Sequence, residues 1–400
     1  MNEIRRIFQV VLVVVGVFAA AGAIWRWYAS QEGEPVFAGP HVSAMPASGP
    51  VGLTPFLEIR GFDEAGEITV LLCPPAQAPE GCAELGTGTD ESRVRSAPIP
   101  ARIGDTDVTP GMYVIRAGTG PVASLPVRGE FEIVPFVIGE TVDHVPYSGL
   151  DLRTLRLGGT VDVARRAPCR TGVTRDDRLV LGPTVFDPVT GVSVVLDIDA
   201  TEFAFGPRGD RLAYVTEDSK EIRIAAPDGS EAVTVVREAR GLLSSLSWAP
   251  EGDFLAYSAR SEPGVSGGPG PPTIVIFNTI NGQTRSVGSG QAVAWSPVGD
   301  RLAVEVPGGM IELSDLEGGR RRIAEGTKPN WSPDGSILGY IRGGSLHLTR
   351  AGDPQPVRFI DADVCGFTFT ASGRRLAVTL LEDDQTRLVL RPIRVPEAQG

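Results

Sequence analysis

Trp331-Ser332-Pro333-Asp334-Gly335, running on into Ser336-Ile337-Leu338-Gly339-Tyr340, decides how this chain folds, because its offsets return four more times. With the aromatic residue as origin, Phe205, Trp248, Trp295, Trp331 and Phe369 fall in register. Two positions on stand Pro207, Pro250, Pro297 and Pro333, with Ala371 the exception. Four positions on comes Gly209, Gly252, Gly299, Gly335 or Gly373, and seven on Leu212, Leu255, Leu302, Leu338 or Leu376. Nine on are Tyr214, Tyr257, Val304, Tyr340 and Val378. Origins 43, 47, 36 and 38 residues apart mark a repeat architecture.

Each copy reads as a β-hairpin. Proline presets φ for the second turn position, aspartate suits the third, and glycine supplies the positive φ that returns the chain. Ahead of the turn, Phe203, Leu246, Val293 and Phe367 alternate with the small Ala204, Ser247, Ala294 and Thr368, which let a neighbouring sheet approach. Further strands follow in each copy, for example 211–215, 221–225 and 232–237, so that four strands make one propeller blade. A sixth copy, shortened by one residue in its turn, lies at 173–179, with outer strands at 185–187 and 192–196. The last copy ends after its third strand, and residues 152–157 are expected to complete it, since an open ring would leave unpaired edges. The expected fold class is all-β: a six-bladed β-propeller over 147–396.

The string Trp-Ser-Pro-Asp-Gly followed by an apolar strand resembles the WD40-like repeats of the TolB-type propellers. That resemblance implies an exported binding scaffold that engages protein partners at one mouth of its channel. The family's N-terminal mixed α/β domain is not evident. In its place, residues 42–140 offer candidate strands at 56–60, 67–73, 101–103, 111–116 and 130–135, mostly alternating apolar and polar. Such spacing reads as a small β-sandwich of immunoglobulin type. The turns around Ser48-Gly49-Pro50 and Thr109-Pro110-Gly111 and the Cys73…Cys82 loop resemble the immunoglobulin-like domains of the neocarzinostatin group.

The first residues set the compartment. Residues 7–25 form an apolar run in which Gln9 is the only strongly polar side chain. As a helix it spans roughly 28 Å, about a bilayer core. Arg5 and Arg6 precede it and Trp25, Trp27 and Tyr28 follow, which orients residues beyond 28 outside the cytoplasm. Residues 1–28 are thus read as one N-terminal transmembrane helix, a signal anchor, and 29–41 as a linker. The competing reading is a secreted protein cleaved near Ala21-Gly22-Ala23; run length and aromatic flank favour the anchor. An exported chain meets an oxidising compartment, and its four cysteines suit one. Cys73 and Cys82 bracket a proline-stiffened loop. Cys169 and Cys365 each precede their origin by four residues, in the first and last blades, which closure makes neighbours. The expected disulfides are therefore Cys73–Cys82 and Cys169–Cys365.

Composition excludes several function classes. With 400 residues, 42% hydrophobic and 22% charged, the chain is no disordered polymer. A net charge of −12 argues against nucleic acid, whose phosphates need a cationic partner. Gly264-Val265-Ser266-Gly267-Gly268 fits the nucleophile-elbow formula but sits among prolines that cannot start a helix. Three histidines leave little for a triad: His41 falls in the linker, His144 between domains, and His347 on a third strand, read as a surface residue. Neither Lys220 nor Lys328 follows glycine, so there is no phosphate loop. Arg320-Arg321-Arg322 reads as a solvated outer edge.

One carboxylate set remains. Asp199, Glu325 and Asp363 each stand six before an origin, where one blade passes to the next, at a channel mouth that the 262–272 insertion also borders. They read first as solvated turn residues; as a rim they would attract a basic peptide or hold Ca²⁺ through oxygen ligands. No other cofactor is called for. The functional expectation is a membrane-anchored, non-enzymatic scaffold docking an envelope protein or peptide at that mouth. The competing expectation is a lyase, hydrolase or small-ligand sensor with its site in the channel.

Overall fold

The turn glycines of the repeat, Gly209, Gly252, Gly299, Gly335 and Gly373, have φ of +70°, +78°, +83°, +67° and +68°. An L side chain is strained there, so glycine is what lets each inner strand fold straight back. The computed structural model describes residues 39–63, 66–74, 81–238, 241–261, 270–350, 355–382 and 385–394. Each origin aromatic ends an inner strand: Ala200–Phe205, Gly241–Trp248, Ala292–Trp295, Thr327–Trp331 and Val364–Phe369.

From these inner strands four-stranded antiparallel meanders run outward. The first is Gly172–Val173, Leu179–Leu181, Thr184–Phe186 and Ser193–Val195, the shortened copy read from the sequence. The second continues through Leu212–Thr216 and Glu221–Ala225 to Val233–Arg237. The third, fourth and fifth repeat that order and end on Thr284–Ser289, Arg320–Glu325 and Val357–Ile360. Inner strands neighbour one another in chain order, and Gly172–Val173 neighbours Val364–Phe369, so the sheets close into a β-propeller. The leucine column packs between sheets; Leu212, Leu255, Leu302, Leu338 and Leu376 are each 0% exposed. Truncating any one of them to alanine is expected to cost about 2–5 kcal/mol.

Closure differs in detail from the sequence reading. The last sheet runs Val364–Phe369, Arg375–Glu382, Gln385–Arg394. Its outer edge comes from the other end of the ring, but 152–154 is a 3₁₀ turn, not strand. Arg156–Leu157 pairs beside Arg394 and Ile393, and the longer Val161–Arg165 pairs between Leu390 and Arg387. Gly158-Gly159-Thr160 breaks the strand between them, which is why the apolar run before it looked like the whole edge.

Ahead of the ring lie two sheets. One orders His41–Met45, Phe56–Arg60 and Ser92–Arg95; the other orders Ser48–Gly49, Val127–Ile133, Gly111–Gly118, Ile68–Cys73 and Ala83–Gly88. Val42, Leu57 and Ile59 of the first face Val70, Leu72, Ile115 and Phe131 of the second in one core. His41 therefore opens a strand instead of closing a linker. That core continues into Val180, Val185 and Val194 of the first blade and Leu212 of the second. Leu53 bridges Val194, and the Val195 N–H donates to Gly52 O at 2.6 Å, so the two units are welded by backbone as well as side chains.

Both expected disulfides are present, Cys73–Cys82 and Cys169–Cys365. No helix among the described residues is long and apolar enough to cross a membrane. The apolar run at 7–25 lies outside the described residues, as do 262–269 of the insertion with its Gly-Val-Ser-Gly-Gly string.

Candidate functional site

The inner strands enclose a channel of about 420 Å³. Where those strands end, Pro207, Pro250 and Pro297 of the hairpin turns line it; where they begin, Arg170, Glu202 and Lys328 do. Both ends are shaped by irregularities that the repeat does not announce.

At the strand-start mouth, inner strands carry bulges. Ser245 has φ +60° within a register shift between Ser244 and Ser247, and Lys328 has φ +53° within one between Thr327 and Asn330. A bulge frees N–H groups from the ladder, and these must find acceptors. Carboxylates of the preceding blade supply them. Glu202 accepts from Ser245 N at 2.6 Å and Leu246 N at 3.2 Å, and Glu305, 5% exposed, accepts from Lys328 N at 2.8 Å. Glu202 also pairs with Arg170. Lys328 Nζ donates to Cys365 O at 2.5 Å. Desolvation, then the nearby Arg170 guanidinium, lowers the Lys328 pKa, with Glu305 pulling the other way. Among the described residues, each ionisable group lining the channel is thus engaged with protein partners, and the lining includes neither histidine nor aspartate. Glu202 and Lys328 share the position three before their origins, occupied in the third and fourth blades by Ser245 and Ala292. Reading that column as channel-facing would have found them.

At the turn face the chain binds itself. Residues 138–148, which join the two halves, run across successive hairpin turns as a strap. Ile138 lies against Gly209 of the second blade. Gly139 N donates to Asp176 Oδ2 at 2.7 Å, and Val142 N to Arg175 O at 3.1 Å, both in the first blade. Val145 N donates to Ser372 O at 2.8 Å in the last blade. Asp334, in the fifth blade, accepts from Tyr147 N at 2.5 Å and Ser148 N at 3.1 Å. The Tyr147 ring is 1% exposed, and its hydroxyl donates to Gly373 O. Burial and then the Asp334 charge push that phenol's pKa up. Burial also pushes Asp334 up, but bonds from Ser332, Ser336 and Tyr147 outweigh it and hold the carboxyl below its ordinary range.

The expected rim residues sit at the strand-start end. Asp199 and Asp363 are exposed just before Ala200–Phe205 and Val364–Phe369, and Glu325 ends Arg320–Glu325. They belong to separate blades, and Glu325 is taken by Arg342 at 2.9 Å. Among the described residues no group of three or more His, Cys, Asp or Glu side chains is placed to hold a metal ion. Two other readings need correction. His347 is 8% exposed and stacks on Tyr340 with ring centroids 5.6 Å apart, because blades cover both faces of a third strand. Arg320 is no solvated edge: it donates to Val287 O at 2.8 Å in the preceding blade and pairs with Glu312 at 3.4 Å.

No protein-family model matches the chain, nor does any curated protein. Solved structures do. TolB from Acinetobacter baumannii aligns with a TM-score of 0.36 and 18% identity, over 48% of this chain and 52% of that one. The chain thus spans about half the length of that structure. A structural genomics protein of unknown function from Bacteroides thetaiotaomicron aligns with a TM-score of 0.45 and 8% identity, over 90% of this chain and 99% of the other. An oligogalacturonate lyase in complex with manganese gives 0.40 and 15%, over 61% and 97%. The sheet order described above, not these likenesses, carries the propeller assignment.

Proposed function

We propose that this chain is a non-enzymatic, six-bladed propeller of the TolB type that docks a protein or peptide of the cell envelope at its strand-start mouth. An immunoglobulin-like sandwich and an N-terminal membrane anchor would hold it outside the cytoplasm. The strap is the observation that carries this reading. Four of the turn sites on one face are occupied by the chain's own residues 138–148, and the face with Asp199, Asp363, Arg170 and Lys328 is the other one. Loops on a rigid scaffold are where recognition usually resides. Binding is favoured over chemistry because Glu202, the one carboxylate lining the channel among the described residues, is already saturated by Arg170 and two backbone N–H groups. The Ca²⁺ alternative loses ground, since the three rim carboxylates stand on separate blades.

Site-specific photo-cross-linking in the native membrane tests the proposal. A cross-linker at Asp363 should capture a discrete partner that one at His144, on the strap, does not. Asp199→Asn with Asp363→Asn should weaken capture of a basic partner and reduce its salt sensitivity. Identical adducts from both faces would reject the docking face, and turnover by the purified protein would reject the non-enzymatic reading.

A further inference from the structure

Away from the channel, the outer strand of the fifth blade (Val357–Ile360) and the closing edge at 152–157 border a groove of about 370 Å³. Four arginines border it: Arg153, Arg156, Arg358 and Arg391. In a chain of net charge −12, four arginines at one groove run against the overall balance. Two of the four are answered locally, Arg153 by Asp151 at 3.1 Å and Arg358 by Asp361 at 3.3 Å. Arg156 and Arg391 have no carboxylate partner among the described residues. They are held by backbone instead: Arg156 donates to Arg153 O at 2.5 Å and Leu155 O at 2.8 Å, and Arg391 to Gly158 O at 3.4 Å. The Arg391 Nε is buried and has no hydrogen-bond partner among the described residues. The four border one groove, and two of them keep a charge that no carboxylate among the described residues answers.

We infer that this groove binds a phosphate-class anion. Carbonyl-anchored guanidiniums keep their charge and their remaining N–H groups, and their planar forks match phosphate oxygens bidentately. Two uncompensated positive charges match a dianion. Leu155, Leu157 and Phe359 beside them would accept an apolar substituent. The phosphate is either a soluble phosphoanion or a lipid headgroup.

The test is calorimetric titration of the full-length chain in detergent with inorganic pyrophosphate at low ionic strength. Saturable one-to-one binding is expected. Losing one charge-assisted partner in Arg156→Gln should weaken it ~10-fold, and Arg156→Gln with Arg391→Gln should weaken it further. Arg285→Gln, on the third blade's outer strand, should bind like the parent. Arg156 is the exposed residue of a two-residue strand, so its single variant remains informative if the Arg391 change impairs folding. A parent that shows no saturable binding, or an Arg156→Gln variant indistinguishable from it, would overturn the inference. Sedimentation with phosphatidic acid vesicles then separates the sources. Pelleting that Arg156→Gln reduces identifies a lipid headgroup, whereas pyrophosphate binding without pelleting identifies a soluble anion.

Discussion

Removing the Cys169–Cys365 bridge should lower stability without abolishing the fold. The bridge joins residues 196 apart in sequence, against 9 for Cys73–Cys82. In the chain-entropy model the long loop contributes about 5 kcal/mol and the short one about 2.5 kcal/mol, by restricting the unfolded chain. At 2–4 °C per kcal/mol for a unit of this size, losing the clasp should lower Tm by roughly 10 °C or more. The native ring keeps another closure, the pairing of Val161–Arg165 with Gln385–Arg394, so the variant should remain folded and all-β. Cys73 is 0% exposed, and truncating it adds a packing loss unrelated to the crosslink. The cleaner measurement therefore takes a Cys73→Ala, Cys82→Ala background and compares melting before and after adding Cys169→Ala and Cys365→Ala. Alkylation under denaturing, non-reducing conditions reports the thiols directly. Two free thiols at 169 and 365, or a Tm change under about 3 °C, would refute the reasoning, because a closed loop of this length must restrict the unfolded state by more than that.

The other predictions concern how blades and strap meet. A Cβ added at Gly366 would stand 1.9 Å from Cys169 O, so Gly366→Ala must push the first and last blades apart. It should cost about 3 kcal/mol or more and leave the 169–365 bridge partly reduced, read by melting and alkylation. Asp334→Asn should cost about 1–3 kcal/mol near neutral pH by weakening the bonds from Tyr147 N and Ser148 N. The Asp334 carboxyl titrates lower folded than unfolded, so its contribution is complete above the unfolded pKa and fades as pH falls through the folded one. The gap in Tm between parent and Asp334→Asn should therefore shrink as pH falls below the ordinary carboxylate range, and a gap that stays constant would contradict the assignment.

The repeat was legible because one tight turn demands particular residues at fixed offsets, and five copies cannot align by accident. The clasp was legible for the same reason: Cys169 and Cys365 hold equal offsets in blades that closure brings together. What stayed hidden depends on backbone acceptors and on irregular register. Glu202 and Glu305 cap N–H groups freed by bulges, and no residue type marks a bulge in advance. His347 looked exposed because strand alternation assumes one wet face. Ser345–Thr349 is buried at every residue, wedged between neighbouring blades. Ala83–Gly88 and Ser92–Arg95 escaped notice since a strand with one buried apolar side chain, or none, gives no pattern to find.

The strap also accounts for which turn residues differ between repeats. Three after the origin stand Arg208, Glu251, Val298, Asp334 and Ser372, and a hairpin alone requires none of them in particular. Their identities follow what lies above. Asp334 and Ser372 sit beneath 145–148 and bond to it or to its neighbours; Ser372 N also donates to Asp177 Oδ1 at 2.8 Å, stitching the last blade to the first. Glu251 and Val298 belong to the third and fourth blades, beyond the strap's course, and Val298 is left 60% exposed. Variation over a constant frame therefore reports contact. The column six before the origin, on the opposite face, varies just as widely, through Asp199, Leu242, Ser289, Glu325 and Asp363. Leu242 there is 48% exposed, and among the described residues Glu325 alone is engaged by an ion pair. On the proposed docking reading, this uneven column, with an exposed leucine between carboxylates, is the surface that a partner outside the ring would meet, just as Asp334 and Ser372 meet the strap.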